Sequence, residues 1–126
     1  MKKLVWIGFA GAVGAITRTT IGHLMMDNSG VGFPWGTFSV NMIGTFLLCC
    51  FVGIIFSKFQ VSKELEEIIT IGFIGSFTTF SAFSIETILL VENEQMLTAL
   101  LYVGTTIIGG LFAGKLGFYT VRKWVV

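Results

Sequence analysis

Residues 72–84 read Gly72-Phe73-Ile74-Gly75-Ser76-Phe77-Thr78-Thr79-Phe80-Ser81-Ala82-Phe83-Ser84, in the middle of an apolar stretch covering about 68–90. A helix needs roughly 20 apolar residues to cross a hydrocarbon core of about 30 Å, so this stretch is long enough to span a membrane. Glycines, hydroxyl residues and β-branched threonines nevertheless crowd its centre, a composition with poor helix propensity. A break there would free backbone carbonyls that lipid cannot satisfy. Broken membrane helices place such carbonyls around a cation or a cavity. The alternative is an intact helix whose Ser and Thr hydroxyls bond back to the preceding turn. The expectation is a break.

Three further stretches, about 4–26, 36–57 and 96–119, are long and apolar enough to span. The 126 residues are 54% apolar and only 12% charged, with a mean hydropathy of +0.88. An ordinary soluble domain carries about 25% charged residues. A water-soluble globule and a disordered chain are thereby excluded, and the net charge of +1 gives no footprint for nucleic acid. Two cysteines build no disulfide scaffold. Continuous apolar runs argue against a membrane barrel, which needs alternating segments of about ten residues. The fold class is all-α integral membrane: one domain of four transmembrane helices, the third broken mid-membrane.

The links hold turn residues, Asp27-Asn28-Ser29-Gly30 among them, and Pro34 suits the start of the second helix. Lys2 and Lys3 before an apolar run, with Ala10-Gly11-Ala12, have the outline of a secretory leader. The apolar run continues well past that site, so an uncleaved first helix is expected. Four spans put both termini and the link between the second and third helices on one side. That side carries Lys2, Lys3, Lys58, Lys63, Arg122 and Lys123, with Lys115 near the end of the last helix. The other side carries Asp27, Glu92 and Glu94 and no Lys or Arg in its loops. The positive-inside rule predicts both termini in the cytoplasm, for a multi-pass protein of the cell membrane.

Several polar groups fall within the spans. Arg18 and Glu86 either face protein or water, or snorkel to an interface. Thr37, Asn41 and Thr45 form one stripe at i, i+4, i+8, and Tyr102, Thr106 and Gly110 another. Such stripes commonly glue helices together, and only weakly suggest a shared aqueous path. Gly8, Gly11, Gly14 and Ala15, and Gly110 with Gly114, fit close helix contacts. Cys49-Cys50 read as small apolar filler, and His23 has no evident partner. Phe77, Phe80 and Phe83 recur every three residues and would drift around one helical face. Most of the 13 phenylalanines are packing or lipid-facing, but an electropositive ring edge can hold a small anion. There is no phosphate-binding glycine loop and no plausible nucleophile–base pair, so enzyme chemistry has no support.

The run from Gly72 to Ser84 closely resembles the signature of the Fluc/CrcB fluoride channels. Gly11-Ala12-Val13-Gly14-Ala15 followed by Arg18 resembles that family's first-helix motif, and Pro34-Trp35-Gly36-Thr37 followed by Asn41 and Gly44 its second-helix motif. The resemblance covers essentially the whole chain. It implies an antiparallel, dual-topology dimer with two fluoride pores and a central structural sodium ion (Na+). The sodium ligands would be backbone carbonyls of Gly75 and Thr78. The fluoride pathway would use Asn41, Thr79, Phe80, Ser81, Phe83, Tyr102 and Thr106, with Arg18 and Glu86 at a vestibule. Gly110 stands where a third fourth-helix hydroxyl is expected, and Ser76, Ala82 and Thr19 depart mildly from the commonest pattern. The implied activity is passive export of fluoride, lowering its cytoplasmic concentration. Hydroxyl and amide donors would replace the ion's water while phenylalanine edges attract it without trapping it.

The nearest rival is a small multidrug-type proton-coupled exporter, also a four-span antiparallel dimer. That class relies on a glutamate embedded in the first helix, where this chain has Arg18 and no carboxylate. A non-transporting membrane assembly protein would leave the cluster from Gly75 to Phe83 unexplained. The one-sided lysines also conflict with a homodimer, because insertion in both orientations needs nearly balanced charge. The expected partner is therefore a second copy or an oppositely oriented paralogue.

Overall fold

The computed structural model describes residues 1–25, 32–57 and 60–125. The turn expected at Asp27-Asn28-Ser29-Gly30, and Lys58, lie outside the described residues. Four helical segments are long and apolar enough to cross a membrane, and no strand occurs among the described residues. The first helix is Lys2–Leu24 and the second Trp35–Phe56. Pro34 precedes the second helix as expected: its fixed φ suits the entry, and its carbonyl accepts from the Phe38 amide at 3.1 Å.

The third span comes in pieces. A short helix, Lys63–Glu67, opens on Ser62, whose hydroxyl accepts from the Leu65 amide. It runs into a π-helical stretch, Ile68–Ile74, and a closing turn, Gly75–Phe77. Thr78 and Thr79 are extended, and the helix resumes as Phe80–Glu92. The expected break is therefore present, at Thr78-Thr79. Beyond Asn93 the chain turns through Glu94 at a φ of +60°. The Gln95 amide there reaches back to the Leu90 carbonyl and the Glu94 amide to that of Val91, capping the helix end.

The last helix, Met96–Val125, extends past the end expected at residue 119. The apolar pattern marks where lipid ends, not where the helix does. Lys and Arg are good helix formers, so the helix continues through Arg122 and Lys123. At 1.5 Å per residue its 30 residues measure about 45 Å, longer than the hydrocarbon core.

The two most closely packed helix pairs run in like direction. The first helix lies along the first half of the third span, and the close approach requires glycine. A methyl on Gly72 would sit 2.8 Å from the Ile7 carbonyl oxygen, and one on Gly14 would collide with the Phe73 carbonyl. Gly8, expected in the same contact, has nothing near its absent side chain. It lies on the exposed side of the first helix. The second and last helices also run side by side. Gly53 meets Val121 at one end, while Thr37 and Tyr102 share a partner at the other. Lys3 pairs with Glu67, which puts the start of the first helix and the start of the third span at the same end.

Candidate functional site

The break is held by one side chain. A continuous helix would send the Thr79 amide to the Gly75 carbonyl. It donates instead to Asn41 Oδ1 at 2.9 Å, and Asn41 Nδ2 donates to the Thr79 carbonyl at 3.0 Å. Asn41 thus satisfies the backbone of Thr79 in both directions, as a neighbouring strand would. Gly44, one turn further along the second helix, supplies the space: the Thr78 methyl lies where a Gly44 side chain would be.

The second half-helix starts with its own cap. Thr79 Oγ1 accepts from the Ala82 amide at 3.2 Å and lies 3.1 Å from Ser81 Oγ. The Ala82 amide is the one that a continuous helix would have sent to the Thr78 carbonyl. Gly75 and Thr78, the two residues singled out for their carbonyls, are thus among the run from Gly75 to Thr78 whose helical donors the break takes away. Hard carbonyl oxygens are a donor set that fits an alkali cation. The Thr78 hydroxyl donates back to the Ile74 carbonyl at 3.1 Å.

The extended pair also resets the helical phase, which corrects the single drifting face expected for Phe77, Phe80 and Phe83. Phe77 is buried at 2% exposure and stacks on Phe73, whereas Phe80 is 78% exposed. Phe83 packs against the buried cluster of Leu90, Ala99 and Tyr102. Phe80 and Phe83 still lie together, with ring centroids 5.8 Å apart.

Sequence reasoning placed Thr37, Glu86 and Tyr102 separately and missed that they meet. Thr37 Oγ1 donates to Glu86 Oε1 and the Tyr102 hydroxyl to Oε2, each at 2.7 Å. Tyr102 is fully buried, its ring 5.1 Å from Phe83 and 5.3 Å from Phe33. A single carboxylate thus ties the second, third and last helices together. The only signal in the sequence was a carboxylate and two hydroxyls within spans.

Thr106 is different in kind. Thr17, Thr19, Thr20, Thr87, Thr105 and Thr120 all bond back to a carbonyl four residues earlier. The Thr106 hydroxyl is buried with no partner at all. An unpaired buried hydroxyl costs about 1–3 kcal/mol, and this one stays unsatisfied within the single chain.

Arg18 is half-buried and lines a cavity of about 680 Å³ together with His23, Thr37, Thr79, Ser81 and Glu86. It therefore faces a protein-lined space, as one of its two readings required. It makes no ion pair with Glu86, and Asp27, its possible interfacial neighbour, lies outside the described residues. Of the expected site residues, Arg18, Thr79, Ser81 and Glu86 meet at this cavity. Phe83 and Tyr102 lie behind it through Glu86, and Asn41 through Thr79. Thr106 follows Tyr102 by one turn on the last helix.

Four apolar helices, a mid-span break with freed carbonyls and a cavity that reaches Thr79 at the break define a multi-pass membrane protein. Over residues 5–118 the chain matches the family described as CrcB-like protein, Camphor Resistance (CrcB), and it belongs to that family. It is 39% identical to the fluoride-specific ion channel FluC of Allorhizobium ampelinum, across 99% of both chains. It is 40% identical to fluoride-specific ion channel FluC 1 of Bacillus cereus, across 100% of this chain and 93% of that one. The corresponding protein of Hydrogenovibrio crunogenus is 35% identical, across 97% of this chain and 92% of the relative.

Proposed function

We propose that the protein is a passive, fluoride-selective channel that lowers cytoplasmic fluoride. The observation that carries this reading is the Thr106 hydroxyl, the one buried side-chain donor without an acceptor among the described residues. Fluoride is small and strongly hydrated, and only hydrogen-bond donors can replace its water. Thr106 and Ser81 supply hydroxyls, and Asn41 Nδ2 keeps a second hydrogen after bonding the Thr79 carbonyl. The edges of Phe80 and Phe83 add weak attraction that does not trap the ion. Arg18 draws anions into the cavity. Glu86, already accepting two hydroxyls, holds its walls in place. Efflux of fluoride, but not chloride, from liposomes containing the purified chain is the direct test. Equal release of both ions rejects the reading, as does release of neither by the chain alone and by the chain with an oppositely oriented partner.

The working unit is an antiparallel dimer with two pores and a structural sodium ion between the subunits. Gly75 and Phe80 are exposed on the single chain, and lipid cannot satisfy the carbonyl that the break leaves at Gly75. A second subunit covering this face supplies the matching pair of carbonyls, so that Gly75 and Thr78 of each chain hold the cation. Sodium neutralises these converging dipoles and takes no part in transport. Thr78→Ala is expected to retain the ion, since only the carbonyl binds it, and elemental analysis of the purified variant checks this. Sodium lost from Thr78→Ala at an intact dimer peak counts against a backbone site.

Two further outcomes separate permeation from stability. Thr106→Val removes an unsatisfied buried hydroxyl while keeping the side-chain shape. It is expected to raise thermal stability, by about 1 kcal/mol, while slowing fluoride efflux at least tenfold. Unchanged efflux removes Thr106 from the path. Phe80→Ile, at an exposed ring, is expected to slow efflux with little change in stability. Phe83→Ile should slow efflux and also destabilise the fold by about 1–2 kcal/mol, because its ring packs on Tyr102. Thermal melts beside the efflux assay distinguish the two, and normal efflux from both variants excludes the rings.

A further inference from the structure

The lysine side of the molecule carries its charge in two unlike ways. At the starts of the first and third spans acids accompany the bases: Lys3 pairs with Glu67, and Lys63 is followed by Glu64 and Glu66 in the same short helix. The last helix, Met96–Val125, contains Lys115, Arg122 and Lys123 and no acidic residue. All three are exposed, and none takes part in an ion pair among the described residues. Lys115, Tyr119 and Arg122 follow one another at i, i+4 and i+7, so they share one helical face. In the preceding turns that face continues as Ile108, Leu111 and Phe112, all largely exposed. Counting about 20 residues from Met96 brings the edge of the hydrocarbon core to the level of Lys115. The exposed Tyr119 ring stands just beyond it, at the depth where aromatic residues mark the interface. One continuous face thus passes from hydrocarbon contact to positive charge that the chain itself does not neutralise.

We propose that this face binds an anionic phospholipid, with an acyl chain along Leu111 and Phe112 and the phosphate held between Lys115 and Arg122. Two requirements select this occupant. The apolar half of the face takes hydrocarbon, and the basic half takes a negative charge. An amphiphile with an anionic head satisfies both at once, whereas a zwitterionic lipid brings a positive charge of its own towards the cations. Lys115 and Arg122 lie two turns apart, about 10 Å along the axis, so two long side chains can converge on one phosphate. The Lys115 stem lies along the apolar surface while its ammonium reaches up to the headgroups. Arg122 offers the planar fork that suits phosphate oxygens. Lys123 adds charge at the outer edge, its ammonium 5.9 Å from the centre of the Trp124 ring. The surface assigned above to the second subunit is that of Gly75 and Phe80 on the third span, which leaves this face of the last helix to lipid.

The test uses a reporter chain carrying Phe112→Trp with Trp6→Phe, Trp35→Phe and Trp124→Phe, so that its one tryptophan lies on the apolar half of the face. It is placed in vesicles of phosphatidylcholine and phosphatidylglycerol, with bromine on the acyl chains of one lipid or the other at equal mole fraction. Brominated phosphatidylglycerol is expected to quench the reporter at least about twofold more strongly than brominated phosphatidylcholine. Lys115→Gln with Arg122→Gln should bring the two levels together. Lys2→Gln with Lys63→Gln, an equal change in net charge on the same side, should keep the difference, and so should the charge-preserving pair Lys115→Arg with Arg122→Lys. Equal quenching by the two lipids in the reporter chain overturns the proposal. Loss of the difference in both glutamine pairs also overturns it, because overall surface charge then accounts for the effect. Quenching by neither lipid means that a second subunit covers the face, and is equally fatal. Native mass spectrometry of the unsubstituted protein gives a reading that needs no variant. Phosphatidylglycerol is expected to stay bound after phosphatidylcholine is stripped, and equal stripping of the two counts against the site. None of these readouts depends on ion conduction, so the lipid site stands or falls apart from the fluoride-channel reading.

Discussion

Asn41→Leu is expected to abolish fluoride efflux and to destabilise the protein by several kcal/mol, the largest effect of any single substitution near the break. The carboxamide makes two hydrogen bonds to Thr79, one in each direction, at 2.9 and 3.0 Å. Leucine has nearly the same volume but leaves an N–H and a C=O unpaired, at about 1–3 kcal/mol each in a protein interior and more in lipid. The chain has one way to recover these bonds. The Thr79 amide can return to the Gly75 carbonyl, closing the break into a continuous helix. That rearrangement consumes a carbonyl proposed for sodium and moves Phe80 and Phe83 to a new helical phase. Loss of conduction and loss of bound sodium should therefore occur together. Asn41→Asp separates the two bonds, because a carboxylate still accepts from the Thr79 amide but repels its carbonyl. Its stability is expected to fall between wild type and Asn41→Leu. Thermal melts, sodium content and liposome efflux on the three chains check this, and wild-type values for Asn41→Leu would remove the clamp from the account.

The location of the break was legible because its cause is local. Glycine, threonine and serine between residues 72 and 84 weaken a helix through their own backbone and side-chain preferences, with no need of a partner. The freed carbonyls of Gly75 and Thr78 follow from the same cause. What holds the break open was not legible, because Asn41 and Thr79 are 38 residues apart and nothing in either segment signals the other. The Thr37–Glu86–Tyr102 joint was hidden for the same reason. Each member could be noticed as a polar group in a span, but the pairing depends on the relative register of three helices. The phase of the phenylalanines was misjudged because a period of three assumes an unbroken helix, and two extended residues are enough to put Phe77 inside and Phe80 outside. Thr106 looked like one of many hydroxyls that bond back to their own helix. Only the three-dimensional packing distinguishes it.

Charge decides how such a chain enters the membrane, and the described residues sharpen that question. The Lys3–Glu67 pair joins the starts of the first and third spans, and the Gly53–Val121 contact joins the ends of the second and last. Lys2, Lys3, Lys63, Arg122 and Lys123 therefore belong to one side, whereas Glu92 and Glu94 lie in the link between the third span and the last helix, on the other. A charge difference of this size, close to the helix ends, orients a small membrane protein strongly, with the lysine side in the cytoplasm. An antiparallel dimer needs chains of both orientations. We propose that in its own membrane this chain inserts mainly one way and completes its dimer with an oppositely biased paralogue, so that the two pores differ. A C-terminal tag is expected to be labelled from the cytoplasmic face only, with efflux at native expression restored only when the second chain is present. The double substitution Glu92→Lys with Glu94→Lys adds positive charge to the outer loop and should distribute the tag between both faces. It should also let the chain alone support efflux, because it now supplies its own partner. Equal labelling of the unsubstituted chain from both sides would show that the lysines do not fix its orientation, and that two copies of this one sequence make the channel.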